Sequence, residues 1–355
     1  MRVSDRATAR NYLKYLHRAQ SKYAEVNQRI ASGNRFTKLS DDVSAGSRVL
    51  KSRMDRYKAE KQLENTKEAI DELTVGEDAL TSINTIVMYI HEKSVQKAKN
   101  DPTSEEGRKV LAQEIRAMME EIVQHANAKY GNRFSFGGTN GYEAPFRVGA
   151  DGRLTYNGIP MEDIRDQLDS AGNKTGKLVY DKLVDDGMGN MVLSEFEVPM
   201  DSEIYYDAAL GIKMKGPDIV PDTAFKVSYS GPEVFGYGKD DDGVSNNIYN
   251  VLYEVQKAID NYDLKEVEKW DTKLASLLEI FRRNLTDIGV KTNFLLDNVK
   301  RLEDTVDRYT AKIDDLMGVD DAEEATHQMM NDYVLKAVLQ MGSRVIPLSL
   351  MDFIS

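Results

Sequence analysis

Apolar residues recur in steps of three and four from Leu278 to Leu316: Leu278, Phe281, Leu285, Ile288, Thr292, Leu295, Val299, Leu302, Val306, Tyr309, Ile313 and Leu316. Only Thr292 in the series is not clearly apolar, and no proline interrupts it. A 3-4 alternation keeps a narrow stripe on one side of a helix, as coiled-coil packing requires. At 1.5 Å per residue that helix runs for roughly 57 Å. The N-terminal flank repeats the rhythm with Tyr12, Leu16, Ala19, Tyr23, Val26 and Ile30, and breaks it at Gly33. A second helix is expected from about Ser44 to Lys99, with Ile70, Leu73, Leu80, Ile83, Val87 and Ile90 on one side. Pro102 ends it, and Thr103 with Glu106 has capping-box spacing for a third helix carrying Leu111, Ile115, Met118, Ile122 and His125. In the C-terminal flank a helix near 245–261 precedes the long one, and another follows Asp320–Asp321.

The pattern changes between 145 and 244. That stretch holds six of the eight prolines, 13 of the 24 glycines, ten basic and nineteen acidic residues. Asp151–Gly152 reads as a two-residue hairpin turn between "PFRVGA" and "RLTYNG". "KLVYDKLV", "MVLSEFEV" and "AFKVSYS" are rich in β-branched and aromatic residues. The fold class is therefore mainly α with a β-rich insertion: a long antiparallel helical bundle of N- and C-terminal segments carrying a small β domain. Three domains are expected: 1–43 with 317–355, 44–144 with 245–316, and the β domain 145–244. Because the long stripes lie in the flanks, the β domain is expected to contribute little to helix pairing. The central stripe, with Leu285, Leu295, Val299, Leu302, Val306 and Tyr309, is expected to be core. The terminal stripes have no neighbour in the central bundle, so other copies of the chain are expected to cover them.

Composition narrows the chemistry. The 355 residues carry a net charge of −12, against the clustered basic surface that nucleic acid requires. No run of 18 apolar residues is long enough to span a membrane, and the first residues lack the apolar core of a cleavable signal. With no cysteine there is no disulfide, thiolate nucleophile or Cys-ligated zinc. "HEKSV" starts like a zinc-protease helix but has Val95 where the second histidine belongs. His17, His91, His125 and His327 are far apart, and "GMGNMV" and "GYGKDD" lack the third glycine of a dinucleotide loop. "KDDDG" at 239–243 reads as a solvated turn rather than a calcium loop. No cofactor, metal or catalytic site is expected.

Four stretches carry a resemblance. "RIASGNRFTKLSDDVSAG" (29–46) resembles the loop after the first helix of bacterial flagellins, and "NAKYGNRFSFGGTN" (127–140) the passage into their outer domain. "GSRVIPLSLMDFIS" and the opening "MRVS" are similar to the hook–filament junction branch of that superfamily. The likeness covers about two thirds of the chain and leaves out 145–244. One departure is that Leu39 and Val43 flank Ser40, Asp41 and Asp42, where relatives often have proline.

The resemblance implies a structural axial protein of the bacterial flagellum at the hook–filament junction; the alternative is a filament flagellin. It implies export through the flagellar apparatus to the cell exterior, or to the periplasm where flagella are internal. It implies further copies of the chain, a neighbouring junction protein and filament flagellin as partners, an export chaperone at the C-terminal region, and no nucleic acid or membrane. Leu16, Tyr23 and Ile30, with Met330, Tyr333, Ala337, Met341, Leu348, Leu350 and Phe353, are then the expected assembly interface. Two other classes stay open at this point: an enzyme carried on an axial scaffold, for which 145–244 offers neither Cys nor His, and an adhesin domain.

Overall fold

The computed structural model describes residues 2–95, 104–185, 191–209, 211–215, 218–220 and 223–345. The chain divides into two compact units, residues 1–60 with 303–355 and residues 61–302.

In the first unit, α1 (Arg2–Ser32) pairs with α7 (Asp321–Val345). The pair is antiparallel. Arg29 bonds Glu324, Gln328 donates to Asn27 at 2.8 Å, and Gly342 lies against the Tyr12 ring. Ala19 and Val26 are buried, and Tyr12, Leu16, Tyr23 and Ile30 half-buried, so the α1 stripe faces its own chain. Other copies were expected to cover it; here α7 of the same chain covers part of it, because 3-4 periodicity shows that a stripe is covered, not which chain covers it. The beginning of α2 (Val43–Tyr89) and the end of α6 (Leu264–Met317) complete the unit around Phe36, Ala45, Val49 and Ile313.

In the second unit, α2 runs into a π turn at Ile90–Val95. Next come α3 (Glu105–Ala126), the one-turn α4 (Gly231–Phe235), α5 (Ile248–Asp260) and the main part of α6. The cap of α3 is Ser104, whose side chain accepts from Gly107 N. Thr103, the expected cap, lies outside the described residues. The buried stripe of α3 centres on Ile115, Met119, Ile122 and Ala126, leaving Met118 and His125 at its margin. Asp263 starts α6 by accepting the backbone N–H groups of Lys265 and Glu266, both at 3.1 Å.

The insertion forms small antiparallel sheets. β3 (Phe146–Val148), β4 (Leu154–Tyr156) and β5 (Ile159–Pro160) make one, and β6 (Arg165–Leu168), β7 (Lys174–Asp185) and β8 (Met191–Glu197) another. Between β3 and β4, Gly152 N donates to Gly149 O and Gly152 takes φ +81. The turn is thus centred on Ala150–Asp151, with the glycine following it in the left-handed region, not on the expected Asp151–Gly152 pair. Phe146, Leu154, Tyr156, Met161 and Ile164 are buried in one continuous core with Ile83, Ile115, Leu252 and Leu274. Phe235 stacks edge-on to Phe136 and Phe146 and lies 6.0 Å from Phe281 of α6. The expectation that the insertion adds little to the helices is therefore corrected. Its aromatic residues fill the space between α3, α5 and α6.

Candidate assembly surface

The loop 33–42 builds the end of the first unit. Gly33, at φ +67, stops α1 in a conformation that side chains with a Cβ resist. The chain then pairs with the turn after α6: Arg35 N donates to Met317 O at 2.8 Å and Val319 N to Gly33 O at 3.2 Å. Phe36 plugs the small core beneath. Asp41 accepts from Lys38 N, Asp42 accepts from Ala45 N at 2.8 Å to cap α2, and Arg35 pairs with Asp42 at 3.2 Å. The two aspartates thus fix the turn through side-chain oxygens, with Leu39 and Val43 exposed at the positions where relatives often place proline. Gly318 is required in the facing turn, since a Cβ there would lie 2.5 Å from Asp314 O.

The hairpin held by this loop leaves several apolar side chains exposed. Met330, Tyr333 and Met341 are exposed, Tyr333 by 76%, while Ala337 is half-buried. Leu16, Tyr23 and Ile30 are half-buried on the side that meets α7. Leu348, Leu350 and Phe353 lie outside the described residues. Sequence periodicity missed Leu13, Tyr15, Met329, Val334 and Leu339, all exposed on the same two helices. They lie off the 3-4 series, Leu13 and Tyr15 about 160° apart on either side of the α1 stripe, so periodicity carries no signal for them. Tyr12, Tyr15, Ala19, Val334, Val338 and Met341 with the stems of Arg18 and Lys22 line a shallow, largely apolar cavity of about 280 Å³. Exposed apolar side chains grouped in this way are typical of surfaces that contact another molecule.

The residues expected as core divide by depth. Leu295 and Leu302 are buried; Leu285, Val299, Val306 and Tyr309 are half-buried. Asn298 is a buried polar residue on the same side of α6, its side chain donating to Ala208 O at 2.8 Å.

The passage 127–140 ties helices to insertion. Asn127 caps α3, and its side chain donates to Phe146 O at 2.9 Å and accepts from Phe146 N at 3.0 Å, as a neighbouring strand would. Gly131, at φ +58, turns β1 (Lys129–Tyr130) into β2 (Arg133–Phe134). Arg133 then reaches Glu72 of α2, which is only 5% exposed, and donates to Tyr206 Oη at 3.4 Å. Burial raises the Glu72 carboxyl above its ordinary range, and the Arg133 guanidinium pulls it back down. This pair was not anticipated from the sequence, because 61 residues separate its members.

The histidines do not converge. His17 is exposed, His91 contacts Asp271 at 3.1 Å, His125 contacts Glu121 at 3.7 Å, and His327 contacts Glu324 at 3.8 Å. Among the described residues no group of three or more His, Asp or Glu could hold a metal ion. In the turn at 239–243, Asp240 accepts from Asp242 N, Val244 N and Lys273 Nζ, so its oxygens are already engaged. No helix among the described residues is long and apolar enough to cross a membrane.

Residues 3–141 match the bacterial flagellin N-terminal helical region. Over 262 residues the chain is 24% identical to flagellar hook-associated protein 3 of Salmonella typhimurium, covering 71% of this chain and 77% of the relative. The same protein of Escherichia coli is 25% identical over 194 residues, 54% of this chain and 59% of the relative. A putative flagellar hook-associated protein from Vibrio parahaemolyticus shares the fold, with a TM-score of 0.56 at 14% identity, over 78% of this chain and 100% of that one.

Proposed function

We propose that this chain, a member of the bacterial flagellin superfamily, is a structural axial subunit at the junction between flagellar hook and filament. The observation that carries the reading is the apolar outer side of the α1–α7 hairpin, on a chain similar over 71% of its length to a protein named for hook association. In this reading the hairpin is an inner layer where copies of the chain meet, through Met330, Tyr333, Ala337 and Met341 on α7 and the margins of Leu16, Tyr23 and Ile30 on α1. Leu348, Leu350 and Phe353 extend that contact or meet an export chaperone beforehand. Residues 44–144 with 245–316 form the rod around it, 145–244 the outer surface, and 1–43 with 317–355 the inner layer. Further copies, a second junction protein and filament flagellin are its neighbours, and its place is outside the cell body. Its work is mechanical, with no catalytic step. A head-to-tail contact that does not close on itself yields the helical arrangement such a junction needs.

Immunogold labelling of isolated flagella tests the reading. A single band at the hook end is expected, and labelling along the whole filament would favour filament flagellin instead. Tyr333→Asp with Met330→Asp places two charges on the exposed side and is expected to abolish the band while secretion continues. Normal incorporation of that variant would remove α7 from the interface.

A further inference from the structure

The first unit is split in charge along the sequence. Residues 1–60 hold fourteen basic and six acidic side chains, whereas 303–355 hold four basic and eleven acidic ones. Much of the positive share is a row at four-residue spacing on α1: Arg10, Lys14, Arg18 and Lys22. All four are exposed, and none makes an ion pair among the described residues. At 100° per residue they span about 120° of the helix, centred roughly 110° from the buried pair Ala19 and Val26, with Lys22 at the end nearer that pair. Like charges at this spacing destabilise an isolated helix, so the row is costly without an anionic neighbour. Its own chain offers little. The antiparallel register sets these residues against 332–344 of α7, where the acid Asp332 is engaged by Lys336 at 2.6 Å. Glu25, at the far end of the row, is the nearest acid on α1 itself.

The complement sits at the end of α6. Asp304, Asp307, Asp314 and Asp315 are exposed and also make no ion pair among the described residues. They fall within an arc of about 100°, on the side of α6 opposite the stripe of Leu302, Val306, Tyr309 and Ile313, with Arg308 and Lys312 at its margin. The basic row extends for about 18 Å and the acidic one for about 17 Å. Two rows of opposite sign and equal length, neither making an ion pair among the described residues, are therefore present on one chain, with the stems of Arg18 and Lys22 bordering the cavity beside α7.

We propose that the basic row of α1 docks on the acidic side of α6 in a neighbouring copy of the same chain, making a heterologous, head-to-tail contact whose register is set by charge. The proposal rests on the self-assembly reading above and specifies its polarity. A contact between different patches on identical subunits propagates from copy to copy, and opposed rows of fixed length penalise slippage along the helix axis. Apolar contacts between hairpins then supply attraction with little directional preference of their own.

The absence of cysteine makes the test direct. Full-length chain carrying both Lys14→Cys and Asp307→Cys is expressed in place of the native protein, and isolated flagella are treated with a short bismaleimide. A ladder of covalent multimers beyond the dimer is expected from the double variant and not from either single one. In parallel, Arg10, Lys14, Arg18 and Lys22 are all changed to Glu in one chain, and Asp304, Asp307, Asp314 and Asp315 to Lys in another. Each reversed chain alone is expected to reduce gold label at the junction at least tenfold, whereas co-expression restores it, because each variant supplies the charge the other needs. Unaltered melting curves of the purified variants exclude misfolding as the cause. Normal junction labelling by both reversed chains, with no ladder from the double variant, would overturn the charge pairing and leave the junction role intact. Loss of label without mutual rescue would overturn it too, by assigning the rows to a different partner. Absence of the unaltered protein from the junction would instead defeat the functional reading on which the proposal stands.

Discussion

Replacing Arg133 with Met keeps much of the side-chain volume and removes the charge that faces Glu72. The carboxyl of Glu72 is only 5% exposed, so the ionised form loses its counter-charge without gaining water. Breaking a buried pair from one side costs about 3–5 kcal/mol, and Arg133 is 32% exposed, which sets the expectation near the lower figure, about 3 kcal/mol. For a unit of this size that lowers Tm by about 6–12 °C. The pH dependence is the sharper test. Burial already raises the folded pKa of Glu72 above its ordinary 4.5, and removing Arg133 raises it further. A native state with a raised carboxyl pKa binds more protons than the unfolded chain, so the variant regains stability as pH falls through the folded pKa towards 4.5. Melting the natural protein and Arg133→Met side by side at pH 7 and near pH 4.5 should show the difference shrinking at the lower pH. A loss of equal size at both would mean that Arg133 acts through its contact with Tyr206 and not through charge.

Further outcomes follow from burial and hydrogen bonding. Leu295→Ala opens a cavity in a fully buried position and should cost about 2–5 kcal/mol in chemical denaturation, whereas a value below about 1 would place that stretch of α6 outside the core. Asn127→Ala strands the backbone N–H and C=O of Phe146 and should lower stability by about 1–3 kcal/mol; an unchanged midpoint would show that water replaces the side chain. Substituting residues 146–243 by a Gly/Ser linker strips Phe146, Tyr156 and Phe235 from the helical core and should broaden or abolish the cooperative melt of the second unit. A sharp transition at the original temperature would mean that the helices close without it. Tyr333→Ala should leave the melting curve within about 0.5 kcal/mol of the natural protein, as exposed positions do, while reducing junction labelling.

The long helices were legible because their chemistry is one-dimensional. A 3-4 repeat from Leu278 to Leu316 contains both the helix and its buried side, and none of those residues is exposed. The same rule could not say that α1 and α7 cover each other, since it carries no information on partners. The π turn at 90–95 left no trace either: Ile90 fits the α-helical stripe and is buried. In the insertion, strand-like segments at 174–185 and 191–197 were readable, but the burial of Phe146 and Tyr156 among helices was not. Alternation identifies the inward side of a strand, and what lies opposite is decided by contacts distant in sequence. Of the candidate surface, Tyr333 and Met341 could be named from a helical repeat. The paired aspartates could be named only as a motif, and their work in capping α2 and holding the loop needed coordinates.

The α1–α7 pairing also constrains the order in which the molecule forms. Arg29 and Glu324 are 295 residues apart, and Asn27 and Gln328 are 301. Contacts at that separation arrive late, because the loop between them has to close first, and they slow folding relative to local pairing. The second unit, residues 61–302, lies wholly within that loop, so forming it first would shorten the effective gap between the two helices. If the chain is delivered N-terminus first, α1 emerges early and then waits, its stripe of Leu16, Ala19, Tyr23 and Val26 unmatched, until residues 321–342 follow. During that interval the segment is the one most readily captured by another molecule, and the rate of delivery, rather than the final stability, decides whether it finds α7 or a neighbour first.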